Sequence, residues 1–320
     1  RLDRARSRAA RAGLDALLIS PGSDLRYLTG YDAKPLERLT CLVLRADADP
    51  VLVVPALERA AAEAAGVRAL GLEVVDWQET EDPYALVAKF LPGAGKVAVD
   101  DHMWAEKVLA FRAALPGAEQ VLAGEVMREL RIRKTPAEIE LLREAAAAID
   151  RVHARMGEWL RPGRTEREVA ADIAEAIVAE GHVQVDFTIV GSGPNGASPH
   201  HEVSDRVIGD GEPVVVDIGG TTAAGYCSDE TRTYVVGGEP PADFVRYYQV
   251  LHEAHLAACA HARPGVTAES VDAVARDIIT RAGYGDRFIH RTGHGIGMES
   301  HEDPYIVAGN SRVLEPGMAF

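Results

Sequence analysis

A chain of 320 residues with 47% apolar positions can bury a sizeable core and is long enough for two domains. Its formal net charge of −15 argues against nucleic acid or an anionic membrane surface as partner, since either calls for a basic face. No apolar run reaches bilayer length and no secretory signal opens the chain, while Cys41, Cys227 and Cys259 are few and scattered; reduced thiols and a cytoplasmic location are expected.

In chain order, residues 1–126 alternate strand-like and helix-like segments, the pattern of an α/β layer domain. Strands are predicted at 16–20 (ALLIS), 41–45 (CLVLR), 51–54 (VLVV), 72–76 (LEVVD) and 96–100 (KVAVD). Helices are predicted from Ala56 (ALERAAAEAAG) and from Asp82 (DPYALVAKFL). GAGK at 93–96 has the look of a phosphate loop's end, but Val97 stands where Ser or Thr belongs and Lys96 opens a strand, so it reads as a plain turn. A joint follows at 127–135. Thr135 is placed as a helix N-cap, Pro136 at the first helical position and Glu138 three residues after the cap. This helix should run to about 160, where RPG breaks it; Thr165 with Glu168 then starts another, to about 180. Strands at 185–190, 213–219, 225–229 and 231–237, helices at 241–261 and 268–282, and closing glycine-rich hairpins give an α+β second domain over 127–320.

The chemistry falls in that second part. Of eleven histidines only His102 lies in the first 150 residues. Asp217 ends the strand PVVVD, whose unbroken valines predict cover on both faces. A carboxylate there is costly unless paired or metal-bound. A single Asp at a strand end usually caps a turn, but Asp229 follows one hairpin later and His294 sits in a distant glycine-rich loop. Two carboxylates and an imidazole are what hard divalent ions take from a protein. HRTGHGIGMESHEDP also carries His290, His301 and Glu302, with glycines that let backbone approach closely on either side of His294. The loop GSGPNGASPHH delivers His200 and His201. No H-E-x-x-H and no G-x-S-x-G stands anywhere in the chain. His252 and His255, three apart on a predicted helix, read as an exposed face rather than a metal site.

Together RKTPAEIELLREAA, SGPNGASPHH, VVVDIGG, SDETRTY, GHGIGMESHE and EPGMAF resemble the pita-bread metallopeptidases, in the branch of prolidase and aminopeptidase P, over nearly the whole chain. The resemblance implies an α/β N-terminal domain of creatinase/prolidase type before a pita-bread catalytic domain. It implies that Asp217, Asp229 and His294 hold two divalent ions, Asp229 bridging, with His200 and His301 catalytic and His290 lining the substrate site. Mn²⁺ suits such oxygen-rich ligands best, and Co²⁺ or Zn²⁺ is also accepted. The activity implied is hydrolysis of the bond between an N-terminal residue and proline in a peptide substrate, by a hydroxide between the ions, in a homodimer. The Asp217–Asp229 turn is one residue longer than the common family spacing. The family's last two ligands are glutamates expected after Phe320; Glu315 precedes that point and is not one of them. Two alternatives remain on the same fold: a creatinase-like, metal-independent amidinohydrolase and a non-catalytic binding protein. Retention of both aspartates and His294 speaks against them.

Overall fold

The computed structural model describes residues 1–320 and divides into two compact units, Arg1–Arg131 and Ile132–Phe320. The first unit runs α1 (Leu2–Arg11), β1 (Ala16–Ile19), α2 (Ser23–Thr29), β2 (Cys41–Arg45), β3 (Val51–Pro55), α3 (Arg59–Ala64), β4 (Glu73–Trp77), α4 (Pro83–Ala88), β5 (Lys96–Val99), α5 (Ala105–Ala114), β6 (Glu119–Leu122) and α6 (Gly124–Arg131). Its single sheet has the order β4-β3-β2-β1-β5-β6. Pairs β3–β4, β1–β5 and β5–β6 are parallel, while β1–β2 and β2–β3 are antiparallel. Leu18, Val43, Val53, Val99 and Phe111 pack in one core, the α/β layer expected of this part. GAGK is a turn tied down from outside: Asp15 Oδ2 accepts from the backbone N–H groups of Gly95 and Lys96 at 2.7 and 2.8 Å.

The second unit opens with α7 (Pro136–Ala154) and α8 (Glu166–Ala179), each started by its capping box, Thr135 with Glu138 and Thr165 with Glu168. Helix α7 stops at Ala154 rather than near 160. The chain turns there through a short 3₁₀ segment, Met156–Glu158, that sinks Met156 and Trp159 into the core. Strands β7 (His182–Ser192), β8 (Glu212–Thr222) and β9 (Cys227–Val236) form one antiparallel sheet. The two segments predicted at 225–229 and 231–237 are a single strand, with Glu230 between them paired to Ile218. The face of this sheet bearing Val214, Val216 and Ile218 packs against Ile149 and Val152 of α7 and Val169 and Ile173 of α8.

Strand β8 corrects one expectation. Val214 and Val216 are 0% exposed, but Val215 between them is only half-buried, so the strand alternates. The less covered face is the one that carries Asp217. After the sheet come α9 (Ala242–His261), α10 (Ala268–Arg281), β10 (Gly293–Gly295) and β11 (Glu302–Ile306). Ala254, Val271, Ala275, Ile306 and Leu314 make their core. His252 and His255 are exposed on α9, all three cysteines are free, and no helix is long and apolar enough to cross a membrane.

Candidate metal centre

The register of β8 and β9 sets Asp217 opposite Thr231 and Gly219 opposite Asp229. Residues two apart on a strand share a face, so Asp217 and Asp229 stand diagonally across one face of the sheet. Gly219, opposite Asp229, has no room for a side chain. A Cβ there would lie 2.4 Å from the Ser228 carbonyl oxygen and 2.6 Å from the Phe187 ring. The register runs without a bulge from Glu212–Val236 to Thr221–Cys227.

The third residue arrives on the β10–β11 hairpin. His294 Nε2 lies 3.5 Å from Asp229 Oδ2, and the ring's other nitrogen is 3.1 Å from the Gly295 carbonyl oxygen. Gly295 is required for the hairpin to close, because a Cβ would sit 2.4 Å from the backbone oxygen of Asp303. The Cys227 N–H donates to the Gly297 carbonyl at 2.8 Å and ties the start of β9 to this hairpin. His301 brings its ring to 3.9 Å from that of His294, centroid to centroid. One ligand atom each from Asp229, His294 and His301 falls within 4.8 Å of the others.

The electrostatics fit a cation. Burial raises the Asp217 carboxyl above its ordinary range, partly offset by the Thr231 hydroxyl donating at 2.7 Å and worsened by Asp229. Burial likewise raises Asp229, and His294 offsets it. The groups that offset these two acids are a hydroxyl and histidines, with no lysine or arginine among them. Two under-compensated carboxylates beside imidazole nitrogens are a hard-to-borderline donor set suited to a divalent ion.

The remaining predicted residues divide. His200, exposed, is close enough to act electrostatically on both Asp217 and His301. Burial and the neighbouring His294 push the His301 ring's pKa down, which favours its neutral form. His290 takes other partners: its ring meets Phe288 edge-on at 4.9 Å, and Arg276 Nη2 donates to its carbonyl at 2.8 Å. Three supports escaped the sequence reading. Thr231 is one, and Glu166 is another. The third is the buried ion pair between Lys134 Nζ and Glu302 Oε1, 2.5 Å long, which anchors the residue next to His301.

Residues 140–320 match the profile of metallopeptidase family M24, and residues 1–133 that of the creatinase/prolidase N-terminal domain. The chain belongs to metallopeptidase family M24. A probable dipeptidase, PepE, of Mycobacterium tuberculosis is 56% identical over 100% of this chain and 85% of its own length. An Xaa-Pro dipeptidase of Lactobacillus helveticus is 39% identical over 96% of this chain and 84% of its own. Among solved structures, prolidase from Thermococcus sibiricus superposes with a TM-score of 0.91 at 37% identity, covering 99% of this chain and 87% of that one. Family membership makes this chain a peptidase with a pita-bread catalytic domain, and divalent metal is the cofactor type that the family implies.

Proposed function

We propose that this M24 peptidase is a dinuclear metal enzyme that cleaves the bond between an N-terminal residue and proline. The observation that carries the reading is the pair Asp217 and Asp229, both raised by burial, set on one face of β8 and β9 beside His294. The relatives named for Xaa-Pro dipeptide or prolidase activity support the substrate class. Asp217, Asp229 and His294 would hold the metal, with Asp229, the acid nearest His294, shared between two ions. The ions' contribution is Lewis acidity, which acidifies water and polarises a carbonyl. Thr231 holds the Asp217 carboxylate by one oxygen, so the other would be available to a metal ion. His200 and His301 would donate an N–H to charge developing on the scissile carbonyl oxygen, and the neutral form favoured for His301 still carries one such donor. His290, packed edge-on against Phe288, would line the substrate side of the site, as the resemblance implies. Manganese as the native ion, a homodimer, a cytoplasmic location and a functional division at 126/127 complete the reading, on composition and resemblance alone.

Removing metal by chelation should abolish Ala-Pro hydrolysis, and adding Mn²⁺ should restore it. Asp229→Asn should lose metal stoichiometry by elemental analysis as well as activity. A protein that binds no metal when Mn²⁺ is supplied, or an Asp229→Asn variant with full activity, would sink the proposal. His200→Ala or His301→Ala should cut kcat by roughly 10²–10³-fold if each donates to the transition state.

A further inference from the structure

Helix α8 starts with an acid that no peptidase step uses. Glu166 is 0% exposed and stands directly after the N-cap Thr165, on the first turn. Its two carboxylate oxygens take every donor from one stretch of chain. Oε1 accepts from Ser192 N–H at 2.8 Å, Ser192 Oγ at 2.7 Å and Asn195 Nδ2 at 3.0 Å. Oε2 accepts from Ser204 N–H at 3.2 Å, Ser204 Oγ at 2.6 Å and Asn195 Nδ2 at 3.1 Å, and lies 2.8 Å from His201 Nε2. Two of these residues precede His200 and two follow it.

The base of the clamp is itself fixed. Glu166 N–H donates to the Arg206 carbonyl at 3.1 Å and Arg167 N–H to that of Ser204 at 3.1 Å. Arg206 in turn donates to Ser192 Oγ at 2.8 Å and forms a fork onto Glu212. Between the clamped ends, the backbone near His200 belongs to no helix or strand. Glu166 binds residues on both sides of His200 directly, and Arg206 adds a second tie from the far end to Ser192. Burial of the carboxylate calls for several donors, and here all of them come from the loop that carries His200.

We propose that Glu166 is a positioning residue: its carboxylate clamps the loop 191–204 so that His200 is held toward Asp217 and His301. A misplacement of about 1 Å in a group that acts on the transition state can cost about 10²-fold in rate. The clamp therefore acts on turnover, through His200, rather than on substrate affinity. The inference rests on the reading of His200 as a transition-state donor.

A double-mutant cycle on the full-length, metal-loaded enzyme tests it, with rates normalised to folded protein measured by circular dichroism. Glu166→Gln keeps the side chain's shape but presents an NH₂ to a shell of donors. We expect kcat for Ala-Pro to fall by about 10-fold or more with KM changed less than about 2-fold. In a His200→Ala background the same substitution should lower kcat by less than about 2-fold, because the residue being positioned is gone. Ser204→Ala removes one donor and leaves the carboxylate in place, so it serves if Glu166→Gln folds poorly. Its smaller kcat loss should likewise vanish in the His200→Ala background. If His200→Ala is damaged but the losses multiply, the clamp is structural only and the inference is overturned. If His200→Ala alone keeps wild-type kcat, the donor role of His200 fails first and takes the inference with it.

Discussion

Glu166 couples protonation to folding. Burial alone would push its carboxyl up, but the donors from Ser204, Ser192 and His201 outweigh burial and hold it at about 2, against an ordinary 4.5. Because the folded-state pKa is the depressed one, the unfolded chain takes up the proton first as pH falls. The contribution is therefore complete above about 4.5 and is lost on the way down to about 2. It amounts to roughly 3 kcal/mol at neutral pH. Urea unfolding followed from pH 6 to pH 3 should show this loss in the wild type, and Glu166→Gln should flatten that part of the curve; an unchanged slope would count against the assignment. In the sequence, Glu166 is indistinguishable from any acid in a helix's first turn, since nothing local announces the four residues that converge on it. Asp217, Asp229 and His294 differ in this respect. Glycine beside each of their strands marks close backbone approach, and a carboxylate after a run of valines has few bland explanations.

Among the elements, capping chemistry was legible and helix ends were not. Thr135 and Thr165 start α7 and α8 as their spacing predicts, because the box is a local contact over three residues. The end of α7 depends on packing: Met156 and Trp159 keep a helical spacing, yet they are pulled into the core by a 3₁₀ turn that no local signal marks. Helices α1, α2, α5 and α6 and strand β6 were likewise not read; Glu119–Leu122 is half-exposed and short, with little apolar pattern to betray it. The ion pair between Lys134, just before α7, and Glu302, at the start of β11, joins elements far apart in sequence and was equally invisible. Both side chains are nearly dry, 2% and 8% exposed. Replacing the lysine removes a cationic partner from the buried Glu302 carboxylate, so Lys134→Met should destabilise the protein, by up to about 3–5 kcal/mol. Chemical denaturation measures this directly, and a loss below about 1 kcal/mol would mean that the pair is not the hairpin's anchor.

Over the whole molecule, the division of labour could be read from the histidines. Only His102 precedes residue 150, and every residue of the candidate centre comes from the second unit. That unit has two cores of its own, one under the β7–β9 sheet and one under α9 and α10. The first unit's core is separate in composition, with Phe111 fully buried and meeting Tyr84 edge-on at 5.0 Å. Phe111→Ala removes a large side chain from that core and should cost about 3–5 kcal/mol. Against a domain stability of about 5–15 kcal/mol, this leaves the first unit folded at low temperature but weakened on warming. If the chemistry belongs to the second unit alone, kcat for a dipeptide at a temperature where the variant is folded should stay within about 2-fold of wild type, while the thermal midpoint falls by several degrees. A folded variant with kcat reduced 10-fold or more would show that the first unit shapes the reacting centre, and the assignment of all catalytic groups to residues after Ile132 would have to be revised.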